Sequence, residues 1–383
     1  MVTLNSADSA LKSFYLDAVA ESLNTKINPF LAKIERTSNY VTGKEVRKAV
    51  RVGINGGVAA GAETGNLPTA KQSHYRQMVT ELKNLYGTIE ISDKAVRASA
   101  NNEGAFVNLV NEEMKSLIQS AQFQFGRMLF GDGAGTLGKI TNKTTERIFV
   151  SNIQNFAVGM SVDVVGAGEN FQGVVVEEVN YVNESIRLNS VGEISDALLN
   201  KTIVLSGTQE NELTGLAAIF SEEDLYGLTR EEMGMRPYIE TDVDDFDPLL
   251  VQIAMDKIEA ASGRKVDFMI CSWGVRRAIQ LYCNEHNISL KTYTTPEGFT
   301  AIDWMGIPLV VDRFCPKGTM YLLTTDCFKL CQLCDWQWLE AEDGKILKQV
   351  PGKPVYTATL VKYAELICEN PAAQGMLTGI IEG

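Results

Sequence analysis

At 383 residues, with 45% hydrophobic and 22% charged residues, the chain carries enough apolar material for more than one packed core, and its make-up excludes a disordered, fibrous or membrane class. A formal net charge of -13 and a pI near 4.8 disfavour nonspecific nucleic-acid binding through counterion release. Seven cysteines make an odd set, and the N-terminus has neither a basic start nor an apolar run, which points to a reducing cytoplasm rather than a secretory route.

Leu11, Phe14, Tyr15, Val19, Leu23, Ile27 and Leu31 recur at helical spacing, so residues 1–43 are expected to form an arm with an amphipathic helix. From Lys44 to Ile54 the chain alternates, with Val46, Val50 and Val52 set against Glu45, Arg47 and Arg51. A stretch of small residues from Gly53 to Gly65 follows, and a return strand is expected from about His74 to Ser92. Residues 44–92 therefore read as one long hairpin, too slender to stand alone in water. Arg47, Lys48, Arg51, Arg76 and Lys83 make it basic within an acidic molecule and are the expected contacts to another subunit.

Between Asn102 and Gly131 the positions Phe106, Leu109, Val110, Met114, Leu117, Ile118, Ala121, Phe125, Met128 and Leu129 predict one long helix, a rod of roughly 42 Å. Short alternating strands then fill residues 139–213, at Ile148–Val150, Val162–Val164, Val174–Tyr181, Ile186–Leu188 and Ile203–Leu205, and describe a small antiparallel β-barrel or sandwich. Pro248 after Asp244, Asp245 and Asp247 marks a helix start, Val266–Cys271 reads as a buried strand, Ser272 as a cap, and Val275–Tyr282 as a helix. Lys291–Phe299 reads as a polar loop. Strands are expected at Ile307–Val311, Thr319–Leu323, Phe328–Leu339 and Tyr356–Ile367.

Catalytic signals are weak. Gly133–Lys139 imitates the glycine–lysine frame of a phosphate loop, but Ile140 stands where magnesium binding needs Ser or Thr, so the segment reads as a flexible connector. Cys331 and Cys334 lack a second pair for zinc, and on a strand they would point to opposite faces, as buried free thiols. Two histidines, His74 and His286, leave little room for triads or histidine metal sites. The acids Asp242, Asp244, Asp245 and Asp247 lack the glycine and distal glutamate of a calcium loop and suit helix capping. No catalytic, cofactor-binding or metal residue is assigned, and no apolar stretch approaches a membrane span.

The order of parts, with Leu82-Lys83-Asn84-Leu85-Tyr86-Gly87-Thr88-Ile89-Glu90-Ile91-Ser92, Val311-Asp312-Arg313-Phe314-Cys315-Pro316-Lys317-Gly318-Thr319-Met320-Tyr321, Trp336-Gln337-Trp338-Leu339 and Pro371-Ala372-Ala373-Gln374-Gly375, resembles the Hong Kong 97-type major capsid proteins of tailed bacteriophages. The resemblance implies an α+β capsid fold: an N-terminal arm (1–43), an extended β-hairpin loop (44–92), a spine helix with peripheral domain (93–138), an inserted all-β module (139–213), an axial domain (214–310) and a strand-rich return (311–383). It implies a self-assembling structural protein without cofactor. Pentamers and hexamers would build an icosahedral shell around double-stranded DNA, with portal and scaffolding proteins as partners, in the virion after assembly in the host cytoplasm. The alternatives are an encapsulin-like compartment shell, a ring- or tube-forming tail protein and a carboxylate-dependent hydrolase.

Overall fold

The computed structural model describes residues 28–94, 103–166, 170–189, 196–340 and 344–383. The helical stripe expected over Leu11 to Ile27 lies outside the described residues. Its last position, Leu31, sits in the short helix Pro29–Lys33, where the Asn28 side chain caps the start by accepting from the Phe30 and Leu31 amides.

Three separate apolar cores organise the described residues. The largest lies under the helix Glu103–Met128 and between it and a five-stranded sheet. In that sheet Val355–Cys368 is the central strand. It pairs antiparallel with Phe328–Trp338, Lys348–Gln349 and Lys83–Ser92, while Glu35–Thr37 runs parallel to Phe328–Trp338 at the edge. The helix crosses the Lys83–Ser92 strand at Gly87, where a Cβ would come within 2.9 Å of Leu117 Cδ1, so glycine sets how closely the two can pack.

The return strand departs from expectation. Tyr75–Glu81 pairs with Glu45–Arg51, and Val41–Thr42 completes a three-stranded ribbon, but Lys83–Ser92 leaves the hairpin and joins the five-stranded sheet. Leu82 is the switch: its amide still bonds Lys44 O, at 2.9 Å, whereas the next residue faces Ala364. The apolar pattern continues through both strands, so periodicity alone does not mark the change of partner.

The second core is sandwiched by a seven-stranded sheet in the order Tyr238–Glu240, Gly375–Leu377, Met320–Leu323, Phe268–Cys271, Ile307–Val311, Thr300–Trp304 and Thr292–Thr294. Two helices cover it. Pro248–Ser262 starts with Asp247 accepting from the Leu249 amide and with proline in its first turn. Trp273–Glu285 starts with Ser272 accepting from the Val275 amide and ends at His286. Lys291–Phe299, expected as a loop, contains the edge strand Thr292–Thr294, none of whose residues is buried; an edge strand with no buried face leaves no alternating signal.

The third core fills a closed six-stranded barrel in the order Ser185–Leu188, Ile148–Val150, Thr136–Lys143, Thr202–Leu205, Ser161–Val165 and Phe171–Asn180. Its first strand corrects two expectations. The strands begin at Thr136 rather than after Lys139, and the glycine–lysine segment is part of the barrel wall instead of a flexible connector. Leu137 and Ile140 are fully buried in the barrel core, and Gly138 is needed because a Cβ there would meet Ser151 O at 2.3 Å.

Candidate assembly surfaces

The ribbon is pinned at its root and open beyond it. Val79 N donates to Tyr226 O at 3.0 Å, while the buried Tyr226 hydroxyl donates to Leu366 O at 3.1 Å and accepts from Cys368 N at 3.0 Å. These bonds tie the ribbon to the central strand of the five-stranded sheet. From Gly53 to Ser73 almost every residue is exposed, including Ile54 at 83%, Val58 at 89% and Leu67 at 90%. Apolar side chains at such exposure, on a segment with no core of its own, form a surface that association would bury.

The five cations expected on the hairpin are placed differently from one another. Lys48 is a fold contact: its ammonium pairs with Glu369, lies 3.7 Å from the centroid of the Tyr40 ring, and its side chain is only 12% exposed. Burial alone pulls this ammonium down, but the contacts to Glu369 and Tyr40 outweigh it and hold it above its ordinary value. Arg76 Nε donates to Glu232 O at 3.1 Å and Lys83 Nζ to Glu210 O at 2.9 Å, both within the chain. Exposed Arg47 pairs with Glu45 two residues along its strand, at 2.7 Å. The exposed Arg51 side chain has no hydrogen-bond or ion-pair partner among the described residues. Arg47 and Arg51 thus remain on the surface, whereas Lys48 is committed to the fold by a residue 321 positions away, a separation no local motif reveals.

The long helix carries a partly covered apolar row packed against the largest core. Met114 and Phe125 are buried, but Leu117, Ile118, Ala121 and Phe123 are only partly covered. Its C-terminal end is firmly held: Arg127 and Glu212 form an ion pair with both side chains 2% exposed, beside the neck of the barrel.

Among the described residues, the cysteines and His286 form no reactive constellation. All seven cysteines are free, six of them buried and Cys334 half-buried. Burial pushes the Cys327 thiol up to about 11 and the Cys331 thiol up to about 12, away from thiolate chemistry. The simple face alternation expected between Cys331 and Cys334 is interrupted by a β-bulge after Gln332, which sets Cys331 opposite Glu365 and Cys334 opposite Tyr363. His286 stacks on Tyr282 with ring centroids 4.1 Å apart. Among the described residues no group of three or more His, Cys, Asp or Glu side chains is arranged to hold a metal, and no helix is long and apolar enough to cross a membrane.

No protein-family model and no curated protein matches the chain. Among solved structures, it is similar to the cyanophage A-1(L) capsid asymmetric unit, with a TM-score of 0.53 and 10% identity, over 94% of this chain and 93% of that chain. The capsid of a native GTA particle (TM-score 0.48, 10% identity, 93% and 90% covered) and the SrpI encapsulin complex of Synechococcus elongatus PCC 7942 (0.47, 11%, 93% and 89%) are also similar. The fold is that of a phage capsid subunit: a mixed α+β chain matched along nearly its whole length.

Proposed function

We propose that this chain is the major capsid protein of a tailed bacteriophage, a Hong Kong 97-type subunit that assembles into an icosahedral shell around double-stranded DNA and catalyses nothing. In this reading Glu103–Met128 is the spine helix and belongs with the five-stranded sheet to the peripheral domain. The seven-stranded sheet and its two helices form the axial domain, the ribbon from residue 44 is the extended loop, and the barrel is an inserted module. Pentamers and hexamers are the intermediate rings, and a scaffolding protein and a portal are the expected partners.

The observation that carries the reading is the ribbon. Its root is fixed by Tyr226 and the Lys48–Glu369 pair, while its far end presents Ile54, Val58 and Leu67 almost bare to solvent. A two-stranded extension is marginal by itself and gains a partner surface when another copy lies beneath it. Repeated in a closed symmetric lattice, modest contacts of this kind add to a stable shell. Arg47 and Arg51 are the cations that remain available for an acidic neighbour.

Electron microscopy and light scattering of the purified protein test the reading, with a variant in which residues 54–72 are replaced by Asn-Gly. The full chain is expected to give capsomer rings or closed shells. The shortened chain is expected to melt at the same temperature and stay monomeric. Shells from the shortened chain would show that the ribbon tip is not an assembly element, and a monomer or dimer from the full chain under varied salt and with scaffolding protein supplied would remove the capsid reading.

A further inference from the structure

The outer part of the ribbon has few bonds of its own. Val52 N still donates to His74 O, at 2.8 Å, but between residues 53 and 73 the backbone–backbone bonds among the described residues reduce to Gly65 N on Ala62 O, at 3.0 Å. Within this stretch lies Asn55-Gly56, the one place in the sequence where glycine follows asparagine. Both residues are exposed, at a turn over Gly56 and Gly57.

Three features converge on the Asn55 side chain. The Gly57 amide donates to Asn55 Oδ1 at 2.8 Å, which orients the carboxamide and places an N–H where negative charge gathers when its carbon is attacked. The Gly56 nitrogen, the next amide along the chain, makes no hydrogen bond among the described residues, and glycine puts no side chain in the way of its approach. A Cβ built on Gly56 would lie 3.1 Å from Lys71 Cδ and 3.8 Å from its Nζ, so an ammonium stands beside this peptide and favours the anions formed in such an attack. Elsewhere the same parts are incomplete. Asn180 Oδ1 accepts from the Val182 amide at 3.0 Å, but Tyr181 follows it. Asp132 Oδ1 accepts from the Ala134 amide at 2.9 Å and Gly133 follows, but a carboxylate has no ammonia to lose.

We propose that Asn55-Gly56 is a self-modifying site, at which the ribbon converts asparagine into aspartyl and isoaspartyl residues. The Gly56 nitrogen gives its proton to hydroxide and attacks Asn55 Cγ. A C–N bond forms, charge develops on Oδ1 under the Gly57 N–H, and the Cγ–Nδ2 bond then breaks, with Nδ2 leaving as ammonia after taking a proton from water. The five-membered imide so formed takes up water at either carbonyl, which gives aspartate or its isomer with the main chain rerouted through Cβ and Cγ. Asparagine and one water become a carboxylic acid and ammonia, without oxidation or reduction. The acid ionises, and this one further negative charge takes the chain from -13 to -14 on the same exposed ribbon as Arg51 and Lys71.

Mass spectrometry of the full-length folded chain tests it. Samples are held for days at about pH 7 and about pH 8, and trypsin then releases residues 52–71, or 52–76 where Lys71 is replaced; both peptides also contain Asn66, which precedes Leu67. Asn55 is expected to gain about 1 Da, in two chromatographically separate isomers and about tenfold faster at the higher pH, while Asn66 and Asn180 keep their mass. Gly56→Ala is expected to slow the gain about tenfold and Lys71→Met about threefold, with melting unchanged by circular dichroism. An Asn55 that keeps its mass, or gains it no faster than Asn66, overturns the site. The parent rate in Lys71→Met overturns the assistance by the ammonium and leaves an ordinary Asn-Gly sequence. Masses are read on single chains, so the outcome is independent of assembly.

Discussion

Glu365 and Asp312 are carboxyls placed where water does not reach. Glu365 accepts from the Thr214 and Leu366 amides through Oε1, at 2.8 and 2.9 Å, and its Oε2 has no partner; Asp312 is bonded through Oδ1 alone. Burial pushes each from its ordinary range up to about 7, against the pull of those amides. In the folded chain Glu365 therefore keeps its proton up to about pH 7, while the unfolded chain loses it near 4.5. Over that interval the folded state binds more protons, so stability falls as pH rises, by on the order of 3 kcal/mol for this group. Glu365→Gln keeps the Oε1 acceptor and abolishes the titration. Urea melts are expected to show its stability relative to the parent rising by about 2–3 kcal/mol between pH 5 and pH 8; a difference independent of pH would mean that Glu365 is ionised throughout. Such groups are invisible in sequence, because their burial comes from Thr214 and the central strand meeting over a separation of 151 residues. The local caps were legible by contrast: Asp247 before Pro248 and Ser272 before Trp273 act within three residues of themselves.

At the scale of elements, what could be read was whatever has a period, and what could not be read was partner choice. The long helix and most barrel strands carry their apolar spacing openly, whereas the switch at Leu82 leaves the apolar pattern unbroken while the strand changes sheets. Thr136–Lys143 was obscured by Gly138 and the glycines just before the strand; Gly138 serves close packing against Ser151 rather than a mobile loop. The barrel nonetheless behaves as a unit on physical grounds. Its core shares no buried residue with the other two, and its entry and exit lie side by side, with Leu205 N on Gly135 O at 3.3 Å. Beyond it the chain is clamped at Gly215, whose Cβ would collide with the carbonyl oxygens of Met128, Gly131 and Leu129 at 2.4 to 2.7 Å. Excising residues 136–205 and closing the gap with a short glycine linker is therefore expected to leave a cooperatively melting protein that retains the helix Glu103–Met128, as read by far-ultraviolet circular dichroism. Loss of that helix signal would show that the barrel supports the body instead of riding on it.

Across the whole molecule, composition set limits that the fold then filled. Apolar content and length called for several cores, and three are present, but their arrangement as a capsid-type subunit came from resemblance rather than from composition, since no sum of residues encodes topology. Net charge has its own consequence for association. Each copy carries -13, so copies repel at long range, whereas the exposed apolar side chains of the ribbon tip act only at contact. Raising monovalent salt from about 0.01 M to 0.1 M shortens the screening length from about 30 Å to about 10 Å, which suppresses the repulsion between whole subunits far more than a close pair within an interface. Light scattering is accordingly expected to show faster and more complete assembly at the higher salt. Slower assembly on adding salt would mean that opposite charges across the contact outweigh the repulsion, and that the surface is held together mainly by ion pairs rather than by burial of Ile54, Val58 and Leu67.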